Sequence, residues 1–203
     1  MRKLLVGIWL LLLVIAIGGL FWYNEYRYTL PTPVPVNYKA VNSGTLIKLP
    51  NGIKRANARP VLLHFFNPDC PCSRFNLKHV KSLIAQYGNE VDFAVVLVTK
   101  KKITQQEVQQ KYDLNVPVFK DAALAAACGV YSTPQAVILN AKNQLMYRGN
   151  YNSSRYCTDK KTEYARMALT DVLQHMPVAT LPMATKAYGC SLAENLKAER
   201  NVQ

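Results

Sequence analysis

The sequence predicts an α/β sandwich around a mixed sheet, preceded by one N-terminal transmembrane helix. Three observations carry this. Residues 4–23 hold no charged side chain. A proline-spaced segment follows, with Pro31, Pro33 and Pro35 at every second position. From residue 58 onward, apolar runs of strand length alternate with stretches of helical period, in the order strand–helix–strand–helix, hairpin, helix.

The N-terminal run comes first. Leu, Ile, Val, Trp and Phe dominate from Leu4 to Tyr23, and twenty helical residues rise about 30 Å, the thickness of a bilayer's hydrocarbon core. Arg2 and Lys3 precede it, so the positive-inside rule leaves residues 1–3 in the cytoplasm and carries the rest across. Trp22, Tyr23 and Tyr26 fall where an aromatic belt sits. A cleaved signal peptide is the rival reading, but its apolar core is usually about 7–15 residues and ends in a small-x-small site. Here Ala16-Ile17-Gly18 lies inside a longer run, which favours an uncleaved anchor. Either route exports the remainder, and the expected setting is a bacterial inner membrane crossed once, with the domain in the periplasm.

Residues 24–57 read as a linker and an N-terminal hairpin region. Alternate prolines disfavour helix and sheet and favour an extended tether, and Asn51-Gly52 is a turn pair between short apolar stretches. The folded domain is expected over 58–178. Val61–Phe66 is a buried strand by length and apolarity. Residues 73–87 form a helix with Val80, Leu83, Ile84 and Tyr87 on one face. Val91–Val98 is a second buried strand. Residues 104–112 form a polar helix, with Thr104 as N-cap and Glu107 completing a capping box. Val116–Phe119 is a short strand, Ala122–Cys128 an alanine-rich helix stopped by Gly129, and Gln135–Leu139 with Leu145–Arg148 a hairpin. Residues 160–175 make the last helix, and 179–203 remain a tail that contains Cys190.

The chain carries 25 Lys and Arg against 12 Asp and Glu, a formal charge of +13. The basic residues are spread along it, with Lys100-Lys101-Lys102 the one tight cluster, so a nucleic-acid surface is not indicated. On an exported domain such a surplus suits anionic head groups or acidic partners.

The chemistry lies in the cysteines. Cys70 ends the loop after the first core strand and opens the first long helix, where unpaired backbone N–H groups and the helix dipole stabilise an anion. A thiolate there has its pKa lowered from about 8.5, which makes it a nucleophile at neutral pH. Pro71 suits the first turn, where its missing N–H costs nothing. Cys72 follows two residues later. Two inert buried thiols or a structural zinc site are the bland alternatives, and zinc normally takes four ligands, with no second closely spaced pair present.

Phe65-Phe66-Asn67-Pro68-Asp69-Cys70-Pro71-Cys72-Ser73 resembles the active-site segment of the thioredoxin superfamily. Gly129-Val130-Tyr131-Ser132-Thr133-Pro134-Gln135-Ala136-Val137-Ile138-Leu139 resembles its cis-proline loop and following strand, and Tyr147-Arg148-Gly149 the end of the next hairpin strand. The resemblance spans about residues 58–178 and implies a thioredoxin-like three-layer sandwich. It also implies a Thr133-Pro134 cis peptide beside Cys70, with loop backbone free to bind an extended substrate chain. One departure matters: the family's motif is Cys-x-x-Cys, and Ser73 stands where the second cysteine belongs. A Cys70–Cys72 disulfide would close a small, strained ring, more reducible than most. Otherwise Cys70 acts with a resolving thiol from elsewhere. Cys190, in a Gly189-Cys190 ending like that of some redoxin-type relatives, is one candidate. Cys157 is another, unless it pairs with Cys190 structurally. Cys128 reads as a core residue.

The expected function is therefore a thiol–disulfide oxidoreductase or isomerase. Cys70 and Cys72 are its catalytic pair, Cys190 and Cys157 are the other candidates for the resolving thiol, Thr133 and Pro134 bind substrate, and Pro71, Ser73 and Arg74 give local support. Its partners would be protein or small-thiol disulfides and an electron donor or acceptor. No cofactor is implied. The alternatives are Cu(I) held by Cys70 and Cys72, and a thiol peroxidase using Cys70 beside Ser73 and Arg74. Of the histidines, His64 reads as a core residue, His79 as lying on the exposed side of its helix, and His175 as ending the last helix.

Overall fold

The computed structural model describes residues 2–50, 53, 59–179 and 181–192. The turn expected at Asn51-Gly52 lies outside these. Five strands form the central sheet in the order β3-β2-β1-β5-β6, where β1 is Val61–Phe66, β2 Asp92–Leu97, β3 Val118–Lys120, β5 Gln135–Leu139 and β6 Leu145–Gly149. The first three run parallel, while β5 and β6 are antiparallel to their neighbours.

Strand alternation splits the core in two. Leu62 and Phe66 of β1, Val95 and Leu97 of β2, and Ala136 and Ile138 of β5 face one side. There they meet α2 (Pro71–Tyr87), α3 (Gln105–Tyr112) and α5 (Tyr164–Leu173) through Leu77, Val80, Leu83, Val108 and Leu169. Val61, Leu63, Phe65, Val96 and Val137 face the other side, against α4 (Ala122–Ala127) and residues Ile47, Ile53 and Leu192. Successive side chains of a strand point to opposite faces, so β1, covered on both, is apolar at every position except His64. All six of its residues are buried. Burial of each of its apolar side chains is worth about 1.5–3 kcal/mol.

The local signals act as read. Thr104 caps α3, its hydroxyl accepting from the Glu107 N–H at 3.1 Å while the Glu107 carboxylate accepts from the Thr104 N–H at 2.7 Å. A cap that the sequence reading did not include is Asp121, which starts α4 by accepting from the Leu124 N–H. The last helix begins later than expected, at Tyr164, because Asp159 caps a separate 3₁₀ turn over Lys160–Thr162. It also ends at Leu173, with His175 beyond it in a left-handed conformation (φ 56°).

Two segments outside the predicted domain pack onto it. Pro31 bridges to Tyr188, and Tyr38 donates its hydroxyl to the Gly129 carbonyl at 3.0 Å. After Pro177 the chain forms α6 (Pro182–Thr185) and returns as β7 (Cys190–Ser191), which pairs antiparallel with β4 (Ser132–Thr133). At the other end, α1 (Arg2–Asn24) is an apolar helix of 23 residues with no buried position, long and apolar enough to cross a membrane.

Candidate active site

Cys70 is the N-cap of α2. Its backbone is extended (φ −82°, ψ 117°), Pro71 is the first helical residue, and the Cys70 carbonyl accepts the first helical hydrogen bond, from the Arg74 N–H at 3.2 Å. The loop before it is braced locally. Asn67 accepts the Asp69 N–H on its side-chain oxygen and the Cys70 N–H on its carbonyl. Ser73 and Arg74 brace the same loop, the Ser73 hydroxyl accepting from the Asn67 N–H and the Arg74 guanidinium donating to the Pro68 carbonyl at 2.9 Å. Both face the loop.

The Thr133–Pro134 peptide is cis, and the Thr133 carbonyl oxygen lies 3.3 Å from Cys70 Sγ. The groove beside this loop is filled by the chain itself. Cys190 sits opposite Thr133 in the β4–β7 pairing and forms a disulfide with Cys70 across 120 residues, with Cα atoms 5.9 Å apart. The pairing of Cys157 with Cys190 is therefore not formed, and Cys72, Cys128 and Cys157 are free thiols. With Cys70 bonded to Cys190, the Cys70–Cys72 pair for Cu(I) is not available in this form either.

The tail's approach depends on Gly189. It adopts φ +125°, and a Cβ there would collide with the Thr133 carbonyl; only glycine takes this backbone at no steric cost. On the outer side the linker closes over the tail. The Thr32 N–H donates to the Ala187 carbonyl at 2.8 Å, and the Thr32 and Ser132 hydroxyls lie 2.9 Å apart. The Asn150 amide holds the preceding turn through the Met183 and Lys186 carbonyls, at 3.0 and 2.6 Å. The result is an uneven disulfide: Cys70 is 1% exposed, whereas Cys190 is only partly buried.

A second cluster lies alongside, and sequence reasoning missed its assembly. Cys72 and Cys157 line one cavity of about 330 Å³ with Pro134, Gly189, Tyr151 and Arg155. Asn76, one helical turn beyond Cys72, donates to Cys157 Sγ at 2.9 Å. Cys157 adopts a left-handed backbone (φ 54°), uncommon for a side chain of this type. Burial raises the Cys72 thiol, against the pull of the Arg155 charge, and pushes Cys157 up to about 11, against the Asn76 hydrogen bond. Cys128, fully buried against α4's side of the sheet, is pushed up to about 12, again by burial.

Behind this cluster His64 Nδ1 lies 2.8 Å from the Tyr151 hydroxyl, and burial drives the His64 pKa down to about 3. The His64 reading as a core residue agrees with its 1% exposure. His79 corrects an expectation. It is 7% exposed, packed edge-on against Tyr151 and 3.6 Å from the Glu163 carboxylate. α5 covers that helix face, which the apolar spacing of α2 alone does not reveal. Among the described residues, no group of three or more His, Cys, Asp or Glu is gathered to hold a metal ion.

The cavity also meets the end of α1. Arg155 donates to the Asn24 carbonyl at 2.7 Å and pairs with Glu25 at 3.4 Å, and the Tyr156 hydroxyl donates to Glu25 at 2.7 Å.

A family model described as a domain of unknown function (DUF6436) matches residues 39–192. The chain belongs to this family. The DUF6436 span takes in both Cys70 and Cys190. No curated protein matches the chain. Among solved structures, a hypothetical protein from Sinorhizobium meliloti superposes with a TM-score of 0.63 at 20% identity, over 76% of this chain and 96% of that one. An uncharacterized conserved protein from Geobacillus kaustophilus gives 0.60 at 18%, over 79% and 97%. A thioredoxin domain of a thiol-disulfide oxidoreductase from Bacteroides vulgatus superposes more loosely, at 0.48 and 9% over 60% and 98%. The sheet order, α2 following β1 and the Thr133–Pro134 loop before β5 make the DUF6436 domain thioredoxin-like.

Proposed function

We propose that this protein is a membrane-anchored thiol–disulfide oxidoreductase of the extracytoplasmic space, whose redox couple is Cys70 and Cys190. The observation that carries the reading is the bond between a cysteine at a helix N-terminus and a cysteine on the strand paired to the Thr133–Pro134 loop. The helix end favours Cys70 as thiolate, so reduction of the bond yields one stabilised anion and one thiol. Substrates are protein or small-molecule thiols and disulfides. Anchoring by α1 in a bacterial inner membrane, with the domain in the periplasm, is supported by the helix's length and apolarity and by Arg2 and Lys3 before it.

A second reading has an observation in its favour. Cys70 is 1% exposed, which also suits a permanent staple closing a long loop. One experiment separates the two. The full chain is equilibrated in detergent with glutathione buffers of increasing reducing strength, and the Cys70–Cys190 bond is followed by thiol labelling. An oxidoreductase exchanges within the range of these buffers while the protein stays folded, and it accelerates insulin disulfide reduction. Cys70→Ser and Cys190→Ser should each lower that acceleration by about 100-fold or more, as loss of an essential thiol in exchange chemistry requires. A bond inert to every buffer, or undiminished activity in both variants, refutes the proposal.

A further inference from the structure

The usual expectation for such a site is that the cysteine at the helix mouth meets the substrate. Here the geometry reverses that. We infer that the sulfur which exchanges with an external thiol, and carries the mixed disulfide, is Cys190. This rests on the Cys70–Cys190 couple proposed above.

Access comes first. Cys70 is 1% exposed, while Cys190 is only partly buried and follows Gly189, which lines the cavity of about 330 Å³ together with Pro134, Met183 and Tyr188. The cover over Cys70 does not depend on the disulfide. Thr133 faces Cys190 in the β4–β7 ladder, the Leu192 N–H donates to the Tyr131 carbonyl at 2.9 Å, and Leu192 is fully buried in the core against α4. Asn150 clamps the chain before it, and Thr32 holds it from outside. Cleaving the bond leaves these contacts in place, so Cys70 stays beneath the tail in both redox states.

Leaving-group chemistry points the same way. Of two sulfurs in a disulfide, attack on one expels the other, and the sulfur of lower pKa leaves faster. Attack at Cys190 expels Cys70, whose anion sits at the N-terminus of α2. An external thiolate therefore forms a bond to Cys190 Sγ as the Cys190–Cys70 bond breaks, and the electron pair departs on Cys70 Sγ. A second external thiolate then attacks the external sulfur of the mixed disulfide and expels Cys190 as thiolate. The external pair loses two electrons and two protons and becomes a disulfide; the protein's disulfide becomes two thiols. In the opposite direction the Cys190 thiolate attacks the external disulfide, and Cys70, held underneath, resolves it.

The test uses the oxidised full chain in detergent. It is pulsed with reduced glutathione for a series of short times, quenched in acid to stop exchange, blocked with N-ethylmaleimide after denaturation and mapped by mass spectrometry. Glutathione on Cys190 with maleimide on Cys70, in at least about tenfold excess over the reverse, is the expected product. A parallel sample of Cys70→Ala treated with oxidised glutathione should be modified at Cys190, faster by a similar factor than Cys190→Ala is modified at Cys70. Glutathione on Cys70, or Cys70 modified as fast as Cys190, overturns the inference while leaving the redox couple standing. A folded protein whose disulfide never exchanges overturns both.

Discussion

Two pairs of cysteines meet the first turn of α2, and they contrast sharply. In one, Cys70 is bonded to Cys190 at the mouth of the helix, beside the Thr133 carbonyl. In the other, Cys72 and Cys157 are free, turned into a cavity and backed by Asn76, Tyr151 and His64. Two residues along a helix rotate the side chain by roughly half a turn. That rotation separates a sulfur held beneath the tail from one turned into the cavity, where burial raises the thiol. Proximity in sequence is thus a poor guide to which thiols react together: Cys70 and Cys72 are near neighbours, yet only Cys70 is joined to the tail.

The sharpest way to break this contrast is to label thiols in the reduced, folded protein. A thiol raised to about 11 carries roughly 300-fold less thiolate at pH 7 than one near 8.5. N-ethylmaleimide pulses should modify Cys190 well before Cys157, with Cys128 slower still, and the Cys157 rate should climb about tenfold per pH unit toward pH 11. Equal rates at Cys190 and Cys157 would erase the distinction. A smaller but still large effect belongs to Gly189→Ala. With φ +125° and the Thr133 carbonyl in the way, it should weaken tail docking by about 1–3 kcal/mol. The readouts are a lower melting temperature of the oxidised protein and, after reduction, faster modification of Cys70.

The cluster behind the second pair gives a pH signature. The folded pKa of His64 is lowered, to about 3 from 6.5, by burial. Between those values the unfolded chain binds the extra proton, so this contribution is complete above about pH 6.5 and is lost as pH falls toward 3. Its slope is about 1.4 kcal/mol per pH unit. His79, also lowered by burial, adds in the same direction. Replacing His64 with Gln should flatten denaturant-midpoint curves over pH 4–6; an unchanged slope would show that His64 is not buried neutral. Tyr151→Phe leaves His64 Nδ1 without its partner and should cost about 1–3 kcal/mol, measured as a urea midpoint shift. Smallest of all, Asn76→Ala removes the donor to Cys157, so the Cys157 thiol should rise further and label more slowly.

Much of this was legible in residue order. β1 and β5 fall where apolar runs of strand length place them, and α3 starts just after Thr104 because that side chain satisfies the Glu107 N–H three residues on. The Cys70-Pro71 opening of α2 and the Thr133-Pro134 loop were visible as motifs of the thioredoxin superfamily. The candidate site was only partly legible. Cys190 stood as one of several possible partners, Arg74 and Ser73 could not be told from groups facing the disulfide, and Tyr151, Asn76 and Arg155 gave no sign of converging on Cys72 and Cys157.

What the sequence determined alone is local: strand and helix periods, caps, the apolar N-terminal run and the cysteine at a helix mouth. These depend on interactions spanning a few residues. Only the tertiary structure chose Cys190 over Cys157 as the partner of Cys70, because that choice turns on Leu192 burying itself against α4's side of the sheet and on Gly189 passing close over Thr133. Contacts between residues a hundred positions apart leave no period in the chain; they are decided by which surfaces remain to be covered once the layers have formed.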